Sequence, residues 1–242
     1  MEYPALIDAL RFATSYNAVW STLTPTCESF IRRVNLDGLE RFAPPMTGIA
    51  TKQRVQIAEL GFSHFVELVL ERENNGKRDR ESIFAAAVNE VDKRLRHMEQ
   101  RGFVYDKKLR DDEIAEAIEI SSRIQQFIVH METKNVIVRP HIQGCGIIDE
   151  SEADIISDRT IIEIKTVDRQ FRSIDIRQAI TYAALNSINS KYTIDDLCLC
   201  NPRSGLYYIG NVEDVCHEIS GISSVELFNE IISIISSGAP SR

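Results

Sequence analysis

The sequence predicts an α/β protein with a mixed central sheet flanked by helices and a helical N-terminal region, and three observations point to it. Through about residue 135, apolar residues recur at helical spacing. At Asn135 the pattern changes to a β-rich stretch. Beyond it, two short isoleucine-rich runs, 153–157 and 160–165, flank the polar pair Asp158-Arg159. That is the pattern of two antiparallel strands joined by a tight turn.

In chain order, helical spacing covers residues 4–20 and 51–73, the second through Ile57, Leu60, Phe65, Leu68 and Val69. The breaker Phe42-Ala-Pro-Pro-Met-Thr-Gly48 lies between them. Residues 71–81 are densely charged around Asn74-Asn75-Gly76 and are expected to form an exposed loop. Helices follow at about 82–100, ended by Gly102, and 111–133, opened by Asp111 and Asp112. Val136–Ile142 leads into Gly144-Cys-Gly146 and then the hairpin. Ser173 is placed to cap a helix over 174–189. Leu197–Cys200 and Leu206–Ile209 read as strands separated by the turn Asn201-Pro-Arg-Ser-Gly205. Ser223-Ser-Val-Glu226 is a capping box opening an isoleucine-rich helix to about 236. The expected division is a helical region, 1–110, packed on a core, 111–242.

The hairpin carries the chemistry. If Ser157 faces Thr160, Asp154 lies opposite Glu163, and alternation puts Asp154, Glu163 and Lys165 on one face. Ile155, Ile162 and Ile164 take the other. Two carboxylates about 5 Å apart repel unless a cation sits between them. A divalent metal beside a lysine is equipment for breaking a phosphodiester bond.

This arrangement resembles the PD-(D/E)xK nuclease superfamily, with Asp154 and Glu163-Ile164-Lys165 as the matching motifs, although Ala153 stands where the motif has proline. Gln178 and Tyr182, four residues apart on the following helix, look like the Gln-x-x-x-Tyr element of the RecB-like branch. The resemblance covers about residues 140–185 and implies a restriction-endonuclease-like core. It implies Mg²⁺ or Mn²⁺ held by Asp154, Glu163 and the Ile164 carbonyl, with Lys165 orienting or activating water. Gln178 and Tyr182 would order the site and contact nucleic acid. His64, in Gly61-Phe-Ser-His64, is similar to the upstream metal-ligating histidine of that branch. Glu116 and Glu119 lie where another acidic residue is often found, but on an acidic helix that reads as solvated. Cys27, Cys198, Cys200 and Cys216 lack the close-set late trio of cluster-binding relatives, so no iron–sulfur cluster is expected; they read as small buried residues.

Arg169, Arg172 and Arg177 cluster just after Lys165, where they would meet a phosphate backbone, with Arg139 and Arg203 as further candidates. The net charge of −8 works against unaided binding of nucleic acid. Together with the apolar terminal helix, it leads to the expectation of a protein partner or a homo-oligomer. No apolar run reaches the roughly 20 residues of a membrane span. No basic-then-apolar leader follows Met1, and the five cysteines have no framework spacing, so a cytoplasmic location is expected. The expected function is a metal-dependent nuclease acting on DNA, in repair or in defence against foreign DNA. The alternatives are a catalytically idle nuclease-like binding subunit and an unrelated metal-dependent hydrolase.

Overall fold

The computed structural model describes residues 6–74, 76–99 and 108–237, so Gly102 and Asn75 lie outside the described residues. The chain divides into two compact units. One holds residues 1–40, 134–201 and 206–242; the other holds 41–133 and 202–205. This is not a cut near residue 110: the first three helices belong with the sheet, and the long helix from Asp111 belongs with the other helices.

In the first unit, the expected helix over 4–20 is two, α1 (Ala9–Ser15) and α2 (Asn17–Leu23), broken at Tyr16. Asp8 caps α1 by accepting the Arg11 N–H at 2.7 Å. α3 (Cys27–Asp37) follows. The strands, in chain order, are β1 (Glu40–Arg41), β2 (Val136–Val138), β3 (His141–Ile142), β4 (Ser151–Glu152), β5 (Ile155–Ser157), β6 (Thr160–Ile164), β7 (Asp196–Asn201) and β8 (Leu206–Asn211). Six of them form a mixed sheet in the order β1-β8-β7-β6-β5-β2, and β3 and β4 pair separately. β6 and β7 are parallel. Parallel neighbours need a crossover, which α7 (Ser173–Ser187) supplies.

α7 is buried nearly all round, and Ile176, Ala179 and Ile180 pack with Ile156, Ile161, Leu197 and Leu199 from one sheet face. The same cluster takes in Phe12 and Trp20, and the indole N–H of Trp20 donates to the Phe12 carbonyl at 3.0 Å. β8 runs straight into α8 (Val212–Ser220), with Asn211 as its cap. α9 (Ser224–Ser236) begins at the predicted box: Glu226 accepts the Ser223 N–H at 3.0 Å. Its Leu227, Ile231 and Ile235 are fully buried, so core packing occupies its apolar face. Among the described residues no single helix is long and apolar enough to cross a membrane.

The second unit is built on three 20-residue helices, α4 (Arg54–Glu73), α5 (Arg80–Glu99) and α6 (Asp111–His130). The loop expected over 71–81 is shorter: α4 runs to Glu73 and α5 starts at Arg80, and Glu71 is buried within α4, where it accepts the Arg78 N–H at 2.7 Å.

Candidate functional site

The hairpin has the predicted register: Ile155 faces Ile162, Ile156 faces Ile161, and Ser157 faces Thr160. The turn is tight because Asp158 adopts φ 49°, a left-handed conformation that Asp tolerates better than most residues. Its carboxylate accepts the Lys134 and Asn135 N–H groups at 3.1 and 3.0 Å, tying the turn to the start of β2.

Carried one step further, this register sets Asp154 across from Glu163. Asp154 lies just outside β5, and its Oδ2 accepts the Ile164 N–H at 2.7 Å. Glu163 is 3% exposed and projects on the α7 face of the sheet. Lys165 continues the strand pairing through its N–H to the Cys200 carbonyl at 2.8 Å. Its ammonium turns inward, donating to Glu163 Oε1 at 2.8 Å and to Gln178 Oε1 at 2.7 Å. Gln178 Nε2 donates in turn to the Tyr182 hydroxyl at 3.2 Å. Helical i, i+4 spacing puts Gln178 and Tyr182 on one face, and that face is aimed at the end of β6. Glu163, Lys165, Gln178 and Tyr182 therefore form one continuous hydrogen-bonded array, with Asp154 at its hairpin end.

The electrostatics keep the array in a defined state. Burial pulls the Lys165 ammonium down, but the Glu163, Asp175 and Asp154 carboxylates more than offset it, so Lys165 titrates above its ordinary range and is charged at neutral pH. Burial and the Glu163 charge push the Tyr182 phenol well up, so it stays protonated.

Glu163 Oε2 is buried and has no hydrogen-bond partner. Such an orphaned carboxylate oxygen is costly unless something binds it. Together with Asp154 it fits a hard divalent cation, which takes oxygen ligands and keeps several waters. Among the described residues no group of three or more His, Cys, Asp or Glu side chains is arranged to hold a metal. A cation here would rest on two carboxylates, a backbone carbonyl and water.

The arginines separate. Arg169 makes two hydrogen bonds to Asp175, at 2.7 and 3.0 Å. Arg172 is exposed. Arg177 is not at a mouth: it is 6% exposed, its guanidinium lies 5.8 Å from the Trp20 ring centroid, and it is 3.9 Å from Glu28. Packed against Trp20, it does not join Arg172 at the surface. Arg139 adopts φ 49°, and its N–H donates to the Asp154 carbonyl at 2.9 Å.

The remaining candidates belong to the second unit. His64 Nδ1 is 3.0 Å from Ser121 Oγ, and its ring meets Phe84 edge-on. Burial lowers its pKa, which keeps the ring neutral. Glu116 is not solvated but buried, paired with Arg203 and, at 3.2 Å, with Arg54, while accepting the Ile49 N–H at 3.0 Å. Glu119 holds Arg123 at 2.8 Å. Cys198 and Cys200 are fully buried and free, and burial raises both thiols.

Asp175 is a site residue that the sequence pattern did not single out. It is 2% exposed, accepts the Arg172 N–H at 2.8 Å and stands 3.9 Å from Lys165 Nζ. Its only sequence signal is an acid in the first turn of a helix, which reads as capping. Compared with protein families, with curated proteins and with solved structures, the chain matches none.

Proposed function

We propose that the protein is a divalent-metal-dependent nuclease of PD-(D/E)xK type with a RecB-like arrangement, hydrolysing phosphodiester bonds in DNA. The observation that carries this reading is the buried array from Glu163 through Lys165 and Gln178 to Tyr182, with one oxygen of Glu163 left unpartnered. The order α6, β2, β5, β6, α7, β7 supports a restriction-endonuclease-like core, with the hairpin and the crossover helix meeting at one end of the sheet.

Asp154, Glu163 and the Ile164 carbonyl are the groups that would hold Mg²⁺ or Mn²⁺. Such an ion lowers the pKa of a bound water and offsets charge developing on phosphoryl oxygens. Lys165 contributes a fixed positive charge toward that developing charge. Gln178 holds the ammonium alongside Glu163, with its amide orientation set by donating to Tyr182. Arg172, exposed at the start of α7, supplies positive charge for phosphate, which an acidic chain needs locally, while Arg169 is engaged by Asp175.

Purified protein incubated with linear, end-blocked and circular DNA and with RNA, in Mg²⁺ or Mn²⁺ and in EDTA, tests the proposal. Metal-dependent cleavage lost in Asp154→Ala and Lys165→Ala is the expected result. Cleavage that persists unchanged in both variants overturns it. The blocked and circular substrates distinguish exonuclease from endonuclease action.

A further inference from the structure

We propose that Asp175 is a positioning residue of this site: it holds the Lys165 ammonium from a third direction and anchors Arg169 beside it. The inference rests on the nuclease reading and names a residue outside its motifs. Lys165 Nζ has Glu163 at 2.8 Å and Gln178 at 2.7 Å, and Asp175 Oδ1 stands 3.9 Å away. The same carboxylate makes the fork-to-fork pair with Arg169 and accepts the Arg172 N–H. Bidentate Arg–carboxylate pairs are geometrically rigid. A 2%-exposed carboxylate held at both oxygens is therefore a fixed acidic group 3.9 Å from the Lys165 ammonium. It also sits in the first turn of the helix carrying Gln178 and Tyr182, where it accepts the N–H of the residue that precedes that helix. One side chain thus ties the position of the catalytic ammonium to that of the helix that orders it.

Capping alone would explain only the Arg172 contact. Asp175→Asn separates the two roles, since its amide oxygen still accepts that N–H while the negative charge is gone. The reactivity of Lys165 toward limiting acetic anhydride, measured by mass spectrometry on the folded metal-free protein, reports how readily the side chain leaves its acceptors as the free amine that attacks the anhydride and expels acetate, without requiring cleavage. In Asp175→Asn, Lys165 is expected to acetylate several-fold faster, and kcat on DNA to fall about tenfold to a hundredfold, with a smaller change in KM. Asp175→Glu restores both toward wild type.

Arg169→Gln should move labelling the other way, because it leaves the Asp175 charge to Lys165 alone. This half-exposed site also carries the test if Asp175→Asn does not melt cooperatively. Wild-type Lys165 labelling in either variant overturns the proposal. So does a wild-type kcat in a folded Asp175→Asn. A wild-type chain that cleaves neither DNA nor RNA overturns the nuclease reading instead, and the labelling still decides whether Asp175 positions Lys165.

Discussion

Lys165 Nζ and Gln178 Oε1 are 2.7 Å apart, and this bond joins the outgoing arm of the hairpin to the crossover helix. An ammonium this deeply placed is sensitive to losing one acceptor. Gln178→Leu removes that acceptor and the donor to Tyr182 together. The expected result is a drop in single-turnover cleavage of about tenfold to a hundredfold. A stability loss of about 1–3 kcal/mol should accompany it. A wild-type rate in this variant would show that the helix is only scaffolding.

The pair Glu163–Lys165 is itself buried, with side chains 4% and 13% exposed. Breaking such a pair from one side leaves an uncompensated charge, whereas removing both ends is often close to neutral. Lys165→Met should therefore destabilise the metal-free protein by about 3 kcal/mol. The double variant Glu163→Gln/Lys165→Met should recover most of that loss. Urea denaturation in EDTA of the wild type, Glu163→Gln, Lys165→Met and the double variant measures the coupling, and additive losses would show that the pair is not energetically linked.

The unpartnered Glu163 Oε2 leads to a ligand-linked prediction. A cation bound only by the folded state stabilises it by mass action, by about 2.7 kcal/mol at a hundredfold excess over its Kd. Mg²⁺ or Mn²⁺ should raise Tm in the wild type and EDTA should reverse the rise. Glu163→Gln and Asp154→Asn should lose the shift. An equal shift in all three proteins would place the ion elsewhere.

Much of this site was legible because its contacts are local. A two-residue turn between alternating isoleucine runs leaves little freedom of register, so the pairing of Ile155 with Ile162, one position short of Asp154 and Glu163, followed from spacing alone. Gln178 and Tyr182 were readable for the same reason, through one turn of helix. The misplacements are non-local. Glu116 sits on an acidic helix that reads as solvated, and it is buried because Arg203, from a distant turn, closes over it. Arg177 reads as part of a basic cluster, but α7 packs on every side and hands its guanidinium to Trp20. α8 was missed because Asn211 ends β8 and caps the helix at once, with no breaker between them.

Asp158 links the hairpin turn to acid stability. Its carboxylate is held below its ordinary pKa of 3.8, first by the Lys134 N–H and then by the Asn135 N–H. A folded-state pKa below the unfolded value contributes stability that is full above the unfolded pKa and is lost as pH falls through the folded one. The wild type should therefore lose Tm progressively below about pH 4. Asp158→Asn keeps an acceptor and a residue tolerant of φ 49° but cannot titrate. Its Tm should be lower at pH 7 and approach the wild type as pH falls through the folded-state pKa of Asp158, and a constant offset across the acid range would remove Asp158 from the acid transition.

Gly61 decides how closely α4 and α6 approach, which gives the Gly61-Phe-Ser-His64 segment a packing role of its own. A Cβ built there would stand 2.7 Å from Ile120 Cγ2 and 2.8 Å from the Ala117 carbonyl oxygen. Both are well inside ordinary contact, and the backbone oxygen cannot swing away. Gly61→Ala gains roughly 1 kcal/mol of helix propensity, but it forces the two helices apart, and overpacking of this kind costs about 1–3 kcal/mol. The close approach should win, giving a net loss of stability in urea denaturation. The His64–Ser121 hydrogen bond spans the same two helices and should lengthen with it, raising hydrogen exchange along α4 and α6. A Gly61→Ala protein as stable as the wild type, with unchanged exchange in both helices, would show that α4 and α6 separate without cost.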